Sequence, residues 1–163
     1  MIKMVTVEVL KEVDENLVPL KEIVNKNPTN MPGEVILSIC EYQIRVKKKL
    51  LPLVIKDNGN YTGVLAIACS LVPASGGTCA TGTLIGNLYL ALDFKTSEKE
   101  DLAFKLGSII GNYMKEYNIA EIQCPVPKEN IPHITLLLRA GFHICGYTRS
   151  IIGEFVFLSR KNG

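Results

Sequence analysis

The chain opens on alternation. Val5, Val7 and Val9 fall on one side of an extended segment and Thr6 and Glu8 on the other, the period-two pattern of a half-buried strand over residues 3–10. Leu17, Leu20, Ile23 and Val24 then recur at helical spacing behind Asp14, a residue type that caps helices, until Asn25-Lys26-Asn27-Pro28 stops the run. Across residues 31–50, Ile36, Ile39, Cys40, Val46 and Leu50 predict a second helix, although the β-branched content there also suits a strand. Apolar runs at 53–56 and 62–72 flank Asp57-Asn58-Gly59-Asn60, residue types that accept the positive φ of a tight hairpin. A second hairpin is expected to turn through residues 73–82 and return from about Thr83 to Phe94.

The clearest helix follows. Leu102, Leu106, Ile109, Ile110, Tyr113, Met114 and Tyr117 line one face of a 3.6-residue period, and Ser97-x-x-Glu100 forms a capping box at its start. Gly107, Ser108 and Gly111 are small enough to let it lie close to a sheet. A strand over residues 120–126 comes next, ending in Cys124-Pro125-Val126-Pro127. Strand, long helix, strand is a parallel βαβ unit. A shorter helix over residues 130–140, stopped by Gly141, and two strands at 142–149 and 154–160 meeting at Ile152-Gly153 complete the chain. The pattern is α+β: a mixed, mostly antiparallel sheet with helices on both faces.

With 163 residues, 47% hydrophobic and 21% charged, the chain is expected to be one domain, residues 1–163, with a real core. Eighteen Lys and Arg against sixteen Asp and Glu leave a formal charge of +2, too little to argue for nucleic acid or an anionic membrane. Five widely spaced cysteines without a C-x-x-C pair disfavour a disulfide framework or a zinc cluster. There is no signal-peptide pattern at the N-terminus and no apolar run of about 20 residues. A reducing, cytoplasmic setting is therefore expected.

The segment from Asn130 to Phe142, NIPHITLLLRAGF, resembles the late motif N-x-x-A-I-x-L-Y-x-x-x-G-F of the GNAT superfamily of N-acetyltransferases, matching at Asn130, Ile134, Leu136, Gly141 and Phe142. The element order is similar to that family's as well. The resemblance implies a GNAT-like acyl-CoA N-acyltransferase fold and direct transfer of an acetyl group from acetyl-CoA to an amine acceptor. On that reading backbone N–H groups at Leu92 and Phe94 polarise the thioester carbonyl. Asp93 is the candidate base, Lys99, Leu102 and Ala103 lie on the diphosphate loop, and Asn130 orients the coenzyme or caps its helix. Pro125 and Pro127, which cannot donate ladder hydrogen bonds, mark where the two parallel strands splay for the pantetheine arm.

Two positions depart from the family pattern. The loop R/Q-x-x-G-x-G/A falls on residues 98–103, where Glu98 and Asp101 replace the basic or amide residue and the first glycine. Carboxylates thus stand where a diphosphate would sit, opposed by Lys95, Lys99 and Lys105. The family's tyrosine, the proton donor to the departing thiolate, falls on Leu137; Tyr147 is the candidate substitute. These departures motivate the alternative, a GNAT-fold regulatory or interaction module without catalysis. Cys124, His133, His143 and Cys145 match no zinc spacing, and Cys124 with His133 lacks a third orienting group. Arg45, Lys47, Lys48 and Lys49 read as a solvated helix end. The acceptor and a homodimer are both left open by the sequence.

Overall fold

The computed structural model describes residues 4–12, 21–22, 33–46, 48–72, 83–97 and 100–163. Seven strands form one sheet: β1 (Val5–Val9), β2 (Leu53–Asp57), β3 (Asn60–Val72), β4 (Thr83–Leu92), β5 (Glu121–Pro127), β6 (His143–Ser150) and β7 (Gly153–Lys161). Their order is β1-β2-β3-β4-β5-β7-β6. Among the described residues only β4 and β5 run parallel. These helices accompany them among the described residues: α1 (Gly33–Arg45), the single turn α2 (Phe94–Ser97), α3 (Glu100–Glu116) and α4 (Ile131–Arg139). The expected helix over residues 14–24 lies outside the described residues except for Lys21 and Glu22, both helical and exposed. The loop at 73–82 also lies outside them.

Local chemistry sets most boundaries. Asn58 and Gly59 turn the β2–β3 hairpin at φ 52° and 82°, both positive as a type I′ turn requires. Of the expected helix over residues 31–50, Gly33–Arg45 is helical, because Ile36, Leu37, Cys40 and Gln43 make a buried stripe on α1, and it ends before Leu50, which lies outside it. Asn130 caps α4, accepting from the His133 N–H, and Gly141 ends it at φ +96°. β4 stops at Leu92, two residues before the expected end, and Phe94 belongs to α2 instead of the strand.

The sheet is covered on both faces. Leu53, Leu65, Leu88, Leu90 and Leu92 pack with Leu102, Leu106 and Ile110 of α3 and Leu137 of α4 in the larger cluster. Val54, Val64, Ala66 and Ala91 point the other way, onto Ile36, Leu37 and Cys40 of α1. Of the small residues of α3, Gly107 meets the end of α4, Gly111 a side chain of the sheet strand β7, and Ser108 is exposed. A Cβ on Gly107 would lie 3.1 Å from the Ala140 carbonyl at the end of α4, and one on Gly111 would lie 2.7 Å from the Arg160 guanidinium. Arg160 Nη1 donates to the carbonyls of Gly107 (2.7 Å) and Ala140 (2.9 Å). The glycines thus make room for an arginine that fastens α3 and α4 to β7.

Candidate active site at the seam between β4 and β5

The parallel pair holds over only three residues, Ile85–Asn87 against Glu121–Gln123. The reason lies in β5. Asn162 donates to the Ala120 carbonyl and Lys128 to the Glu154 carbonyl, so the even-numbered backbone groups of this strand face β7 and the odd-numbered ones face β4. Beyond Gln123 the next donor toward β4 would be Pro125, then Pro127, and neither has an N–H. On its other side β5 stays paired with β7 through Pro127. The prolines therefore end one ladder and leave the other intact.

The facing edge of β4 follows the same logic. The Asp93 N–H donates to the Thr62 carbonyl of β3 at 3.0 Å, so alternation turns the backbone groups of Leu90 and Leu92 away from β3 and toward the seam. Gly63, opposite Leu92, has no space for a side chain: a Cβ there would lie 2.8 Å from the Ala91 carbonyl. The close approach of β3 holds the end of β4, and half-buried Asp93 immediately after it.

Across the seam stands α4. Leu90, Cys124, Val126, His133 and Leu137 surround about 190 Å³ of empty space, none of it wide enough for a water molecule. His133 is 2% exposed. Asn130 Oδ1 accepts the His133 N–H at 3.4 Å, so its Nδ2 donates to His133 Nδ1 at 2.9 Å. With Nδ1 an acceptor, the proton of the neutral ring sits on Nε2, which donates to the Leu92 carbonyl at 3.3 Å. Burial pushes this imidazole down to about 4, with the Leu92 hydrogen bond opposing only in part. The residue in the alanine position of the late motif is thus a neutral latch joining α4 to β4. That substitution was the sequence signal for it.

Two alternating parallel strands forced apart by proline, a long helix crossing between them and a capped helix against the gap make a specific arrangement. No family model matches the chain, and no curated protein matches it. Solved structures do. A GNAT-family acetyltransferase from Streptococcus pneumoniae superposes with a TM-score of 0.70 at 16% identity, over 98% of this chain and 100% of the other. This chain has the GNAT acetyltransferase fold. An N-acetyltransferase from Staphylococcus aureus shares it with a TM-score of 0.69 at 14% identity, over 98% and 99% of the two chains. An aminoglycoside acetyltransferase, AAC(6')-Ib, solved with coenzyme A and kanamycin, shares it with a TM-score of 0.60 at 15% identity, over 97% and 95%.

Within the GNAT fold, the other expected residues fall as follows. Leu102 and Ala103 sit in the first turn of α3 with buried side chains, so only their backbone N–H groups are on offer to a ligand. Phe94 lies in α2, and Lys99 and Glu98 lie outside the described residues. Glu100 and Asp101 head α3. Lys105 is 3.9 Å from Asp101 and also donates to the Val5 carbonyl of β1. Tyr147 is exposed on β6, separated from β5 by β7; it does not replace the hydroxyl missing at Leu137. His143 and Cys145 are exposed on β6 as well, apart from Cys124 and His133. Cys124 does line the seam beside His133, but burial pushes its thiol up to about 12, the reverse of an activated nucleophile. Among the described residues no helix is long and apolar enough to cross a membrane.

Proposed function

We propose that the protein is an acyl-CoA-dependent N-acyltransferase that transfers an acetyl group to a primary amine. The observation that carries this reading is the proline-built divergence of β5 from β4, with the Leu92 backbone aimed into it. Two features fit the coenzyme's polar end: the N-terminal N–H groups of α3, and the Thr96 hydroxyl in the turn before it, buried without a hydrogen-bond partner among the described residues. The seam itself has no room for a thioester arm while His133 holds the Leu92 carbonyl. On this reading His133 swings away first. The Leu92 N–H then orients the thioester carbonyl, Asp93 takes the proton of the incoming ammonium, and the amine nitrogen bonds to the carbonyl carbon as the carbon–sulfur bond breaks, the nitrogen's second proton passing to solvent or to the released thiolate. With Leu137 in the tyrosine position, the thiolate leaves without a proton from α4; a thiol pKa near 8.5 makes this tolerable at neutral pH, at a rate cost of roughly 10²–10⁴-fold.

The closed seam and the carboxylates of Glu100 and Asp101 favour a second reading, a GNAT-fold module without catalysis. Thermal unfolding with acetyl-CoA separates the two. Ligand at about 100 times its Kd stabilises a fold by about 2.7 kcal/mol, several degrees in Tm for a chain of this size. A shift that grows in Asp101→Gly supports the enzyme, and Asp93→Asn is then expected to lower turnover with coenzyme affinity retained. No shift at millimolar acetyl-CoA or other acyl-CoAs removes the enzyme reading.

A further inference from the structure

A second opening in the sheet lies far from the seam. β2 pairs with β3 only as far as Leu65, so beyond it the outer edge of β3 has no strand neighbour among the described residues. A cavity of about 900 Å³ occupies that position, between α1, the segment at 48–50 and the end of α3. It shares no lining residue with the seam, and β3 and β4 stand between the two.

The cavity is built. Gln43, 5% exposed, continues the sheet-facing stripe of α1, and its Nε2 donates to the Ile67 carbonyl on the open edge at 2.9 Å. That bond decides which way the amide points, because only the NH₂ can serve a carbonyl. Its Oε1 is buried and has no hydrogen-bond partner among the described residues. An orphaned buried acceptor is costly, and native structures keep one where something else pairs with it. The Lys48 N–H returns to the Gln43 carbonyl at 3.0 Å, folding Lys48 and Lys49 back over the same cavity. The Tyr117 hydroxyl donates to the Lys49 carbonyl at 3.3 Å and ties this wall to α3. Among the described lining residues Glu116 is the one carboxylate, so Lys48 and Lys49 leave a surplus of one positive charge there.

The geometry points to a binding site for an amphiphilic monocarboxylate that carries an N–H beside an apolar chain, the class of the N-acyl amino acids. The volume lies at the upper end of small-molecule sites. The apolar chain fits against Ile39, Leu50, Ile67 and Leu84, the N–H pairs with Gln43 Oε1, and the carboxylate answers the surplus charge of Lys48 and Lys49. This site stands independently of the transferase reading, since none of its residues belongs to the seam.

Calorimetric titration with N-octanoylglycine tests it. Saturable binding is expected, at least fivefold weaker for Gln43→Leu, which removes the orphaned acceptor, and at least fivefold weaker for the exposed pair Lys48→Glu/Lys49→Glu, whose surface position keeps the fold intact. Octanoate, which lacks the N–H, is expected to bind more weakly to the unaltered protein and equally to Gln43→Leu. No saturable heat at millimolar probe, or either variant binding as the unaltered protein does, overturns the assignment.

Discussion

The sheet is interrupted twice, and the two interruptions are finished differently. Between β4 and β5 the break is made by proline and then filled: His133 and Leu137 occupy it, and the imidazole pairs with Asn130 on one side and Leu92 on the other. Along β3 the break is made by the short length of β2 and, among the described residues, left open, with one end of the Gln43 amide paired and the other orphaned. A filled break contributes to stability, whereas an open one stores a cost until a ligand arrives. Polar satisfaction therefore distinguishes the two better than size does.

Removing the latch is the strongest way to break this contrast. His133→Leu strips the Leu92 carbonyl of its partner in a buried setting, and a loss of about 3 kcal/mol in urea unfolding is expected. If the latch bars the coenzyme, the same variant gains affinity for acetyl-CoA despite its lower stability; unchanged or weaker binding would show that His133 does not guard the seam.

Acid provides a smaller version of the same test. The folded His133 has its pKa lowered from 6.5 to about 4, so between those values the unfolded chain binds more protons than the native one. The stability it contributes is complete above about pH 6.5 and is lost as pH falls toward 4. About 2 kcal/mol should disappear between pH 7 and pH 5, and His133→Leu should flatten that slope. A slope equal in both proteins would assign it to other groups.

At the open break the expected effect is the smallest. Gln43→Leu gives up one hydrogen bond to Ile67 but also deletes the orphaned oxygen, so stability should change by no more than about 1 kcal/mol. A large loss in thermal unfolding would mean that the amide is a strut of the fold instead of a recognition group.

Features held within a few residues were legible before the fold was known. The Asn58-Gly59 turn, the apolar face of α3 and the Asn130 cap follow from local chemistry that needs no distant partner, whereas the splay at Pro125 and Pro127 was expected from the family resemblance. What escaped depended on contacts across the chain. His133 meets a carbonyl 41 residues away, and Gly107 is small because Ala140 lies against it. Gln43 reads as an ordinary polar helix residue until β3 runs past the end of β2 and exposes the Ile67 carbonyl. The early end of β4 is of the same kind, since α2 packs on α4 after leaving the strand.

The three residue pairs that join β4 to β5 also divide the molecule mechanically. β1 to β4 form one plate and β5 to β7 with α4 form another, and α3 straps them together: Lys105 grips the Val5 carbonyl on the first plate while Arg160 of the second grips Gly107. Motion between the plates would bend at Ile85–Asn87 and load α3 together with the His133–Leu92 latch. Amide hydrogens at that junction are expected to exchange ahead of those in the long β3–β4 ladder, so the line along which the protein yields is the line along which it would admit a substrate.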